Sequence, residues 1–281
     1  MTVVTRLQQR TVTALLTAPA AIVLVLLLPS ALLAVVIGAM VAIAAWEWAE
    51  VAGVVSPPAR ALFVVIVSVL NLGAWRIHAA PAAEWVIAIG VAWWLVACAW
   101  LRHTAFAAAP TSGNAGIKCV AGILAIVPAF QALVTLHALP RHGHGWALYA
   151  LMLVWAADTS AYLVGSRWGR RKMAPLISPN KTWAGLAGAF AGGGMLALAG
   201  ALVLGARGIA LPALVAVALC AIAASIVGDL FESLLKRQAG VKDSGALFPG
   251  HGGILDRMDS VFAALPVLAA GKLLVDCWLS Q

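Results

Sequence analysis

Charged residues are scarce in this chain. Only 10% of its 281 residues are charged, against about 25% in an ordinary soluble domain, while 63% are hydrophobic and the mean hydropathy is +1.00. A soluble protein of this length has too little interior to bury so much apolar surface, whereas a membrane-spanning helix needs about 20 apolar residues. The composition therefore excludes a water-soluble domain and predicts an all-α, polytopic integral membrane protein.

Several local signatures of soluble proteins are also absent. No CxxC pair and no Cys/His spacing typical of a zinc site occurs, so the cysteines are predicted to be structural thiols. No GxxxxGK[ST] sequence occurs, which excludes a P-loop, and no period of 20–50 residues repeats, which argues against a solenoid. The four cysteines lie far apart, in or beside apolar runs: Cys98, Cys119, Cys220 and Cys277.

Long apolar runs are what the chain has instead. Separated by Pro, Gly and charged residues, they predict about nine transmembrane helices in a single membrane domain, 1–281. The first run follows Arg6 and Arg10 as in a signal peptide, but another apolar run comes almost at once, which favours a retained helix. The predicted spans are 11–28, 31–51, 60–76, 82–101, 116–138, 146–165, 183–205, 208–228 and 260–279.

The distribution of basic residues predicts the orientation. A net charge of +8 would suggest a nucleic-acid partner in a soluble chain, but Lys and Arg concentrate in the cytoplasmic loops of membrane proteins. With a cytoplasmic N-terminus and nine spans, 14 of the 18 Lys and Arg lie inside and 4 outside. We therefore expect a cytoplasmic N-terminus and no nucleic-acid partner.

Two of the predicted cytoplasmic loops, 166–182 and 229–259, are long and polar. Both belong to the C-terminal half of the chain, 146–281, whereas the N-terminal helices, 1–110, have short connections. Any chemistry is therefore expected in these two loops.

Acidic residues flank the second loop. Asp229, Glu232 and Lys236 share one face of a helix end, and Asp256 and Asp259, three residues apart, share a face at the start of the last helix. Such acids can simply pair with the neighbouring lysine or complement the helix dipole. If the three aspartates converge, their repulsion favours a hard cation such as Mg²⁺, which binds carboxylates together with substrate phosphates.

Two segments have the composition of anion-binding sites. The glycines that follow Lys242, with His251, Gly252 and Gly253 just before a helix, allow backbone N–H groups to approach phosphate oxygens. The segment 178–182, SPNKT, precedes another helix and adds a lysine. A flexible connector and an ordinary helix cap are the alternative interpretations.

Asp158, Glu47 and Glu50 also lie near predicted helix ends. Asp158 and Asp229 could be coupling carboxylates of a secondary transporter, but the chain shows no inverted repeat and its polar residues are confined to loops on one side. Glu47 and Glu50 flank Trp48 and are interpreted as membrane-boundary residues.

The segment 233–259, SLLKRQAGVKDSGALFPGHGGILDRMD, closely resembles the signature of the phosphatidate cytidylyltransferases, and 158–185 resembles their second motif. The CDP-alcohol phosphotransferases, a further alternative, have a DGxxAR…GxxxDxxxD signature that is missing here. One departure is Ala184, where many members carry Glu or Gln before the glycine. The matching positions are Ser233, Lys236, Arg237, Lys242, Asp243, His251, Gly252, Gly253, Asp256, Arg257 and Asp259.

The resemblance implies transfer of the cytidylyl group of CTP to phosphatidate at the cytoplasmic face of a bacterial-type inner membrane. It implies Mg²⁺ held by Asp229, Asp256 and Asp259, with a second cation, K⁺ or Mg²⁺, and is compatible with a homodimer. The catalytic residues that it implies are Asp229, Asp256, Asp259, Lys236, Arg237 and Lys242. The substrate-binding residues that it implies are Ser178, Lys181, Thr182, His251, Gly252, Gly253 and Arg257.

Overall fold

The computed structural model describes residues 18–245 and 252–280, which are almost entirely helical. The all-α prediction is confirmed, with the addition of one short hairpin. The elements are α1 (Ala18–Leu27), α2 (Ser30–Val51), α3 (Pro57–Ile77), α4 (Ala82–Arg102), α5 (Ser112–His137), α6 (Gly143–Trp168), β1 (Lys172–Ala174), β2 (Ser178–Thr182), α7 (Trp183–Val203), α8 (Ala210–Gln238) and α9 (Leu255–Leu279).

Eight of the helices in the described part of the chain, α2 to α9, are long and apolar enough to cross a membrane. Each of them overlaps one predicted span, so the polytopic architecture is confirmed. Helix α1 lies inside the predicted span 11–28, whose residues 11–17 fall outside the described part. The total of nine spans therefore stays a prediction.

Helix α8 is longer than its apolar run. It continues ten residues beyond the predicted end of the span at 228, which corrects the loop over 229–259 in its first third and confirms the helix end predicted from the shared face of Asp229, Glu232 and Lys236. Phe231, Leu234 and Leu235 form a buried stripe at helical spacing, which packs this polar segment against the bundle. The other predicted loop contains the antiparallel hairpin β1–β2, in which Lys172 pairs with Thr182.

Contacts at the two ends of the bundle follow the predicted sides. At the predicted inner end, Arg237 Nε donates to the Ile177 carbonyl at 3.2 Å, which joins the end of α8 to the hairpin. At the predicted outer end, Ser30 Oγ hydrogen-bonds to the His137 ring at 2.8 Å. The two polar segments that the sequence singled out therefore lie at the same end.

Small residues allow helices α6 and α7 to approach closely. A Cβ at Gly188 of α7 would lie 2.6 Å from the Val164 Cβ of α6, and a Cβ at Gly192 would overlap Ser160. This spacing of glycines is the usual means of close helix packing in membranes. It fixes α6, and with it Asp158, against α7. The four cysteines are free thiols.

Candidate active site

The site begins where α8 and α9 cross at Gly228. A Cβ at this position would overlap the Asp259 carbonyl and lie 2.9 Å from the Ala263 Cβ. Only glycine permits this approach of the two backbones. The following residue, Asp229, is thereby brought beside Asp259.

Asp158, Asp229 and Asp259, here called the aspartate cluster, come from three different helices. The carboxylate of Asp259 lies close enough to the other two for their charges to interact. The hairpin contributes a lysine to the cluster: Lys181 Nζ lies 2.6 Å from Asp229 Oδ2. Ser233 Oγ also donates to Asp229 Oδ1, at 3.3 Å. Asp259 Oδ1 accepts from the Ser260 N–H at 2.6 Å.

A second group, the lysine-bridged cluster, consists of Glu232, Lys236 and Asp256. The Lys236 ammonium lies 2.5 Å from Glu232 Oε2 and 2.6 Å from Asp256 Oδ1. All three side chains are at most 10% exposed. One buried ammonium therefore ties α8 to the first turn of α9.

Asp256 organises the loop before α9. Its Oδ2 accepts from the Ser244 N–H and hydroxyl, both at 3.0 Å, and from the Gly253 N–H at 2.7 Å. Gly252 adopts a φ of +80°, which favours glycine. The Gly253 N–H, predicted to face a phosphate, thus faces Asp256 in this structure.

Glu47 is the residue that the sequence reasoning misjudged. It is 6% exposed, and its carboxylate accepts hydrogen bonds from the backbone N–H groups of Ile254 and Leu255 at 3.2 and 2.8 Å. The sequence reasoning, which interpreted it as a membrane-boundary residue, did not predict these contacts. The signal was its helical face, since Ala44 and Val51, three residues before it and four after, are apolar and buried.

The remaining predicted residues have different positions. Thr182 is buried and caps α7, accepting from the Gly185 N–H at 3.1 Å. Arg257 lines the site near Asp158, whereas Lys242 is exposed on the loop after α8. Ser178 begins β2, Arg237 contacts Ile177, and His251 lies outside the described residues.

The charges of the site fit a cation bound together with phosphates. Among the described residues, the five acids of the two clusters and Glu47 face three bases, Lys181, Lys236 and Arg257. Glu232 is 1% exposed and its Oε1 has no hydrogen-bond partner in the described segments. Within those segments no three His, Cys, Asp or Glu side chains form a ready metal site. This arrangement is compatible with Mg²⁺, which commonly takes one or two carboxylates and completes its shell with phosphate oxygens and water.

An apolar cavity of about 550 Å³ opens onto these acids. Its walls are apolar side chains of α1, α2, α5, α6 and α9, including Val25, Met40 and Leu133. Asp158, Asp256 and Asp259 also line it. The cavity therefore offers an apolar volume that ends in charged groups.

Comparisons with known proteins agree with this arrangement. The sequence model of the cytidylyltransferase family matches residues 8–274. The chain is 41% identical over 264 residues to the phosphatidate cytidylyltransferase of Pseudomonas aeruginosa, covering 94% of this chain and 96% of the relative. It is 31% identical over 280 residues to that of Haemophilus influenzae, covering 92% and 96%. It is 41% identical over 142 residues to that of Bacillus subtilis, about half of each chain. The chain belongs to the cytidylyltransferase family.

Proposed function

We propose that this protein transfers the cytidylyl group of CTP to phosphatidate, giving CDP-diacylglycerol and pyrophosphate for phospholipid synthesis. The observation that carries the proposal is the apolar cavity that ends at the aspartate cluster. A lipid phosphate and a nucleotide triphosphate need such a boundary between apolar and charged surroundings. The similarity to named phosphatidate cytidylyltransferases supports the same reaction.

The reaction itself requires little covalent help from side chains. A phosphate oxygen of phosphatidate, already ionised at neutral pH, attacks the α-phosphorus of CTP. The bond from that phosphorus to the bridging oxygen breaks, and pyrophosphate leaves with the electron pair. Neither a nucleophilic side chain nor a strong base is needed. The difficulty is the approach of two anions, so catalysis depends on alignment and charge neutralisation.

Asp229 and Asp259 are the side chains that we assign to Mg²⁺, with Asp158 beside them for a second cation, K⁺ or Mg²⁺. Bound metal would neutralise phosphate charge and orient the triphosphate. Asp256, expected from the sequence to be a third ligand, has both oxygens engaged by Lys236, Ser244 and Gly253. In the proposal it positions the first turn of α9.

Basic residues around the acids neutralise the substrates. Lys181 and Arg257 lie at the aspartate cluster and are assigned to the reacting phosphates. Arg237 and Lys242, at the end of α8 and on the exposed loop, are assigned to the approaching triphosphate. The hairpin residues Ser178 and Thr182 and the loop residues His251, Gly252 and Gly253 are assigned to the border of the nucleotide site.

The membrane arrangement follows from the same proposal. The acyl chains of phosphatidate occupy the apolar cavity, while CTP arrives from the cytoplasm at the inner end of the bundle. The proposal therefore includes a location in the bacterial cytoplasmic membrane with the N-terminus inside. A homodimer stays a prediction.

The direct test is incorporation of label from α-³²P-CTP into lipid by the purified full-length chain in detergent. We expect labelled liponucleotide and an equal amount of pyrophosphate when phosphatidate and Mg²⁺ are present. Replacing phosphatidate by diacylglycerol, which lacks the phosphate monoester, is the matched control. Failure to label lipid, or equal labelling with diacylglycerol, would overturn the proposal.

A further inference from the structure

Glu47 lies near the end of α2, yet the donors that it contacts in the described segments belong to the loop between α8 and α9 or to the start of α9. Oε1 accepts from the Ile254 N–H and Oε2 from the Leu255 N–H; Oε2 also lies 3.2 Å from the Ser244 hydroxyl, whose one proton is shared with Asp256. Helix α9 begins after Ile254, whose side chain cannot act as a cap. Its first N–H groups are therefore satisfied from another helix, about 200 residues earlier in the chain.

Two loop glycines leave room for this carboxylate. A Cβ at Gly245 or at Gly253 would overlap the Glu47 side chain, and at each position the three nearest atoms all belong to Glu47. The backbone thus closes around the carboxylate from two sides. Larger residues there would displace either the loop or Glu47.

Glu47 is itself held in a fixed position. The next residue, Trp48, is 2% exposed; its ring N–H donates to the Lys118 carbonyl at 2.8 Å, and the ring stacks on Phe231 with centroids 6.3 Å apart. The last turn of α2 is therefore anchored to both α5 and α8. A carboxylate on such a turn can position a loop.

We propose that Glu47 is a positioning residue of the nucleotide site. It fixes the backbone around Ser244 and at 253–255, and through it the direction in which α9 presents Asp256 and Asp259. Its negative charge also complements the positive end of the α9 dipole. The proposal rests on the proposed function for its kinetic consequence, but the fixing of the loop does not depend on it.

Glu47→Gln is the decisive variant. Both carboxylate oxygens accept from backbone N–H groups, so the amide –NH₂ must face a donor whichever way it is turned. We expect kcat/KM for CTP to fall roughly 10- to 100-fold, because a buried donor is left without an acceptor. The KM for CTP should rise while the KM for phosphatidate stays unchanged. Glu50→Gln, three residues later on the same helix, is the matched control, since Glu50 is 55% exposed and pairs with Arg60.

A measurement that needs no turnover tests the loop directly. Hydrogen exchange of the full-length chain in detergent should be faster at the Ile254 and Leu255 amides in Glu47→Gln, and unchanged in Glu50→Gln. Unchanged exchange at both amides would overturn the inference whether or not the protein uses CTP. If exchange becomes faster at these amides but the protein does not label lipid, the proposed function is overturned and the role of Glu47 in fixing the loop is not.

A double-mutant cycle with Gly245→Ala separates a specific contact from general damage. Alone, Gly245→Ala should increase exchange at Ile254 and Leu255, because its methyl group displaces the carboxylate. In a Glu47→Ala background the same methyl group meets open space and should add little. Strictly additive effects would contradict the assignment of Glu47 as the group around which the loop closes.

Discussion

The aspartate cluster and the lysine-bridged cluster lie one helical turn apart on α8 and α9, yet their acids are satisfied very differently. Asp256 receives hydrogen bonds from Lys236, the Ser244 N–H and hydroxyl, and the Gly253 N–H. In the part of the chain that the structure describes, Asp229 pairs with Lys181 and accepts from Ser233, Asp259 accepts from the Ser260 N–H at 2.6 Å, and the two carboxylates repel each other. A carboxylate whose two oxygens both accept hydrogen bonds from fixed donors stabilises the fold around it. Carboxylates that repel each other can instead bind a cation.

The comparison assigns separate tasks to acids that the sequence presents as equivalent. Substitutions in the aspartate cluster should reduce turnover without reducing stability. Substitutions in the lysine-bridged cluster should reduce stability first. The following variants test this division, from the largest expected effect to the smallest.

Asp259→Asn should abolish most of the activity. It removes a charge assigned to Mg²⁺ while keeping the side-chain volume, and we expect turnover to fall at least about 100-fold, by analogy with the loss of other preorganised charge-stabilising groups. The melting temperature should not fall, because one of three mutually repelling acids is gone. The measurement is CTP incorporation across a Mg²⁺ titration, together with thermal unfolding in detergent.

The control for this variant is Asp276→Asn. Asp276 lies on the same helix but near its other end, where it pairs with Lys272. It should keep normal turnover. Near-normal, Mg²⁺-dependent activity of Asp259→Asn would remove the metal assignment.

Lys236→Met should have the largest effect on stability. It leaves Glu232 and Asp256 buried without their shared ammonium, and breaking a buried ion pair typically costs about 3–5 kcal/mol. The melting temperature in detergent should fall clearly. The double variant Glu232→Gln/Lys236→Met should recover part of the loss, because it removes one uncompensated charge.

Lys272→Met provides the comparison at the other end of α9. Its partner Asp276 is 49% exposed, so solvent can replace the lost ammonium and the fall in melting temperature should be smaller. If the melting temperature falls equally in the two lysine variants, the lysine-bridged cluster does not contribute more to stability than the ion pair at the other end of α9.

Gly228→Ala should disturb both clusters at once by separating α8 from α9. Overpacking of this kind typically costs about 1–3 kcal/mol, and activity should fall because Asp229 moves away from Asp259. Gly38→Ala is the matched control, since a Cβ at Gly38 meets nothing within 4 Å. Thermal unfolding and turnover are measured for both variants; equal behaviour would contradict the role of the close crossing.

Met40→Trp should have the smallest effect on activity, and this effect should be limited to the binding of the lipid substrate. The larger ring narrows the apolar cavity, so the KM for long-chain phosphatidate should rise a few-fold while the KM for CTP stays unchanged. Val35→Trp on the same helix is the control, because Val35 is 69% exposed on the outer face of the bundle. A rise in the KM for CTP instead would show that this cavity does not hold acyl chains.

The sequence predicted the helices well because apolar run length and helical periodicity are local properties. The predicted span and loop met too early, at 228, whereas the helix end predicted from the shared face of Asp229, Glu232 and Lys236 is confirmed and continues to Gln238. Buried Phe231, Leu234 and Leu235 carried the correct signal within the polar segment. Composition alone placed this segment in a loop, whereas the helical spacing of its side chains identified it as a helix end.

The sequence predicted most of the residues of the candidate site but not the contacts among them. Helical spacing placed Asp229 on one helix face and Asp256 with Asp259 on another, and the sequence reasoning combined the three as one metal site. It could not show that Asp256 is occupied by Lys236 and the loop. That depends on hydrogen bonds between segments that are distant in sequence, which a local pattern does not encode.

By itself, the sequence determined a polytopic helical membrane protein with charged segments at one end and a cytidylyltransferase signature in its C-terminal half. Only the tertiary structure decided which acids are paired with bases and donors and which are available to bind a cation. It also decided that Glu47 of the second helix contacts the loop that precedes the last helix. The physical reason is that apolar length acts along the chain, whereas the partners of a buried charge are set by which helices approach one another.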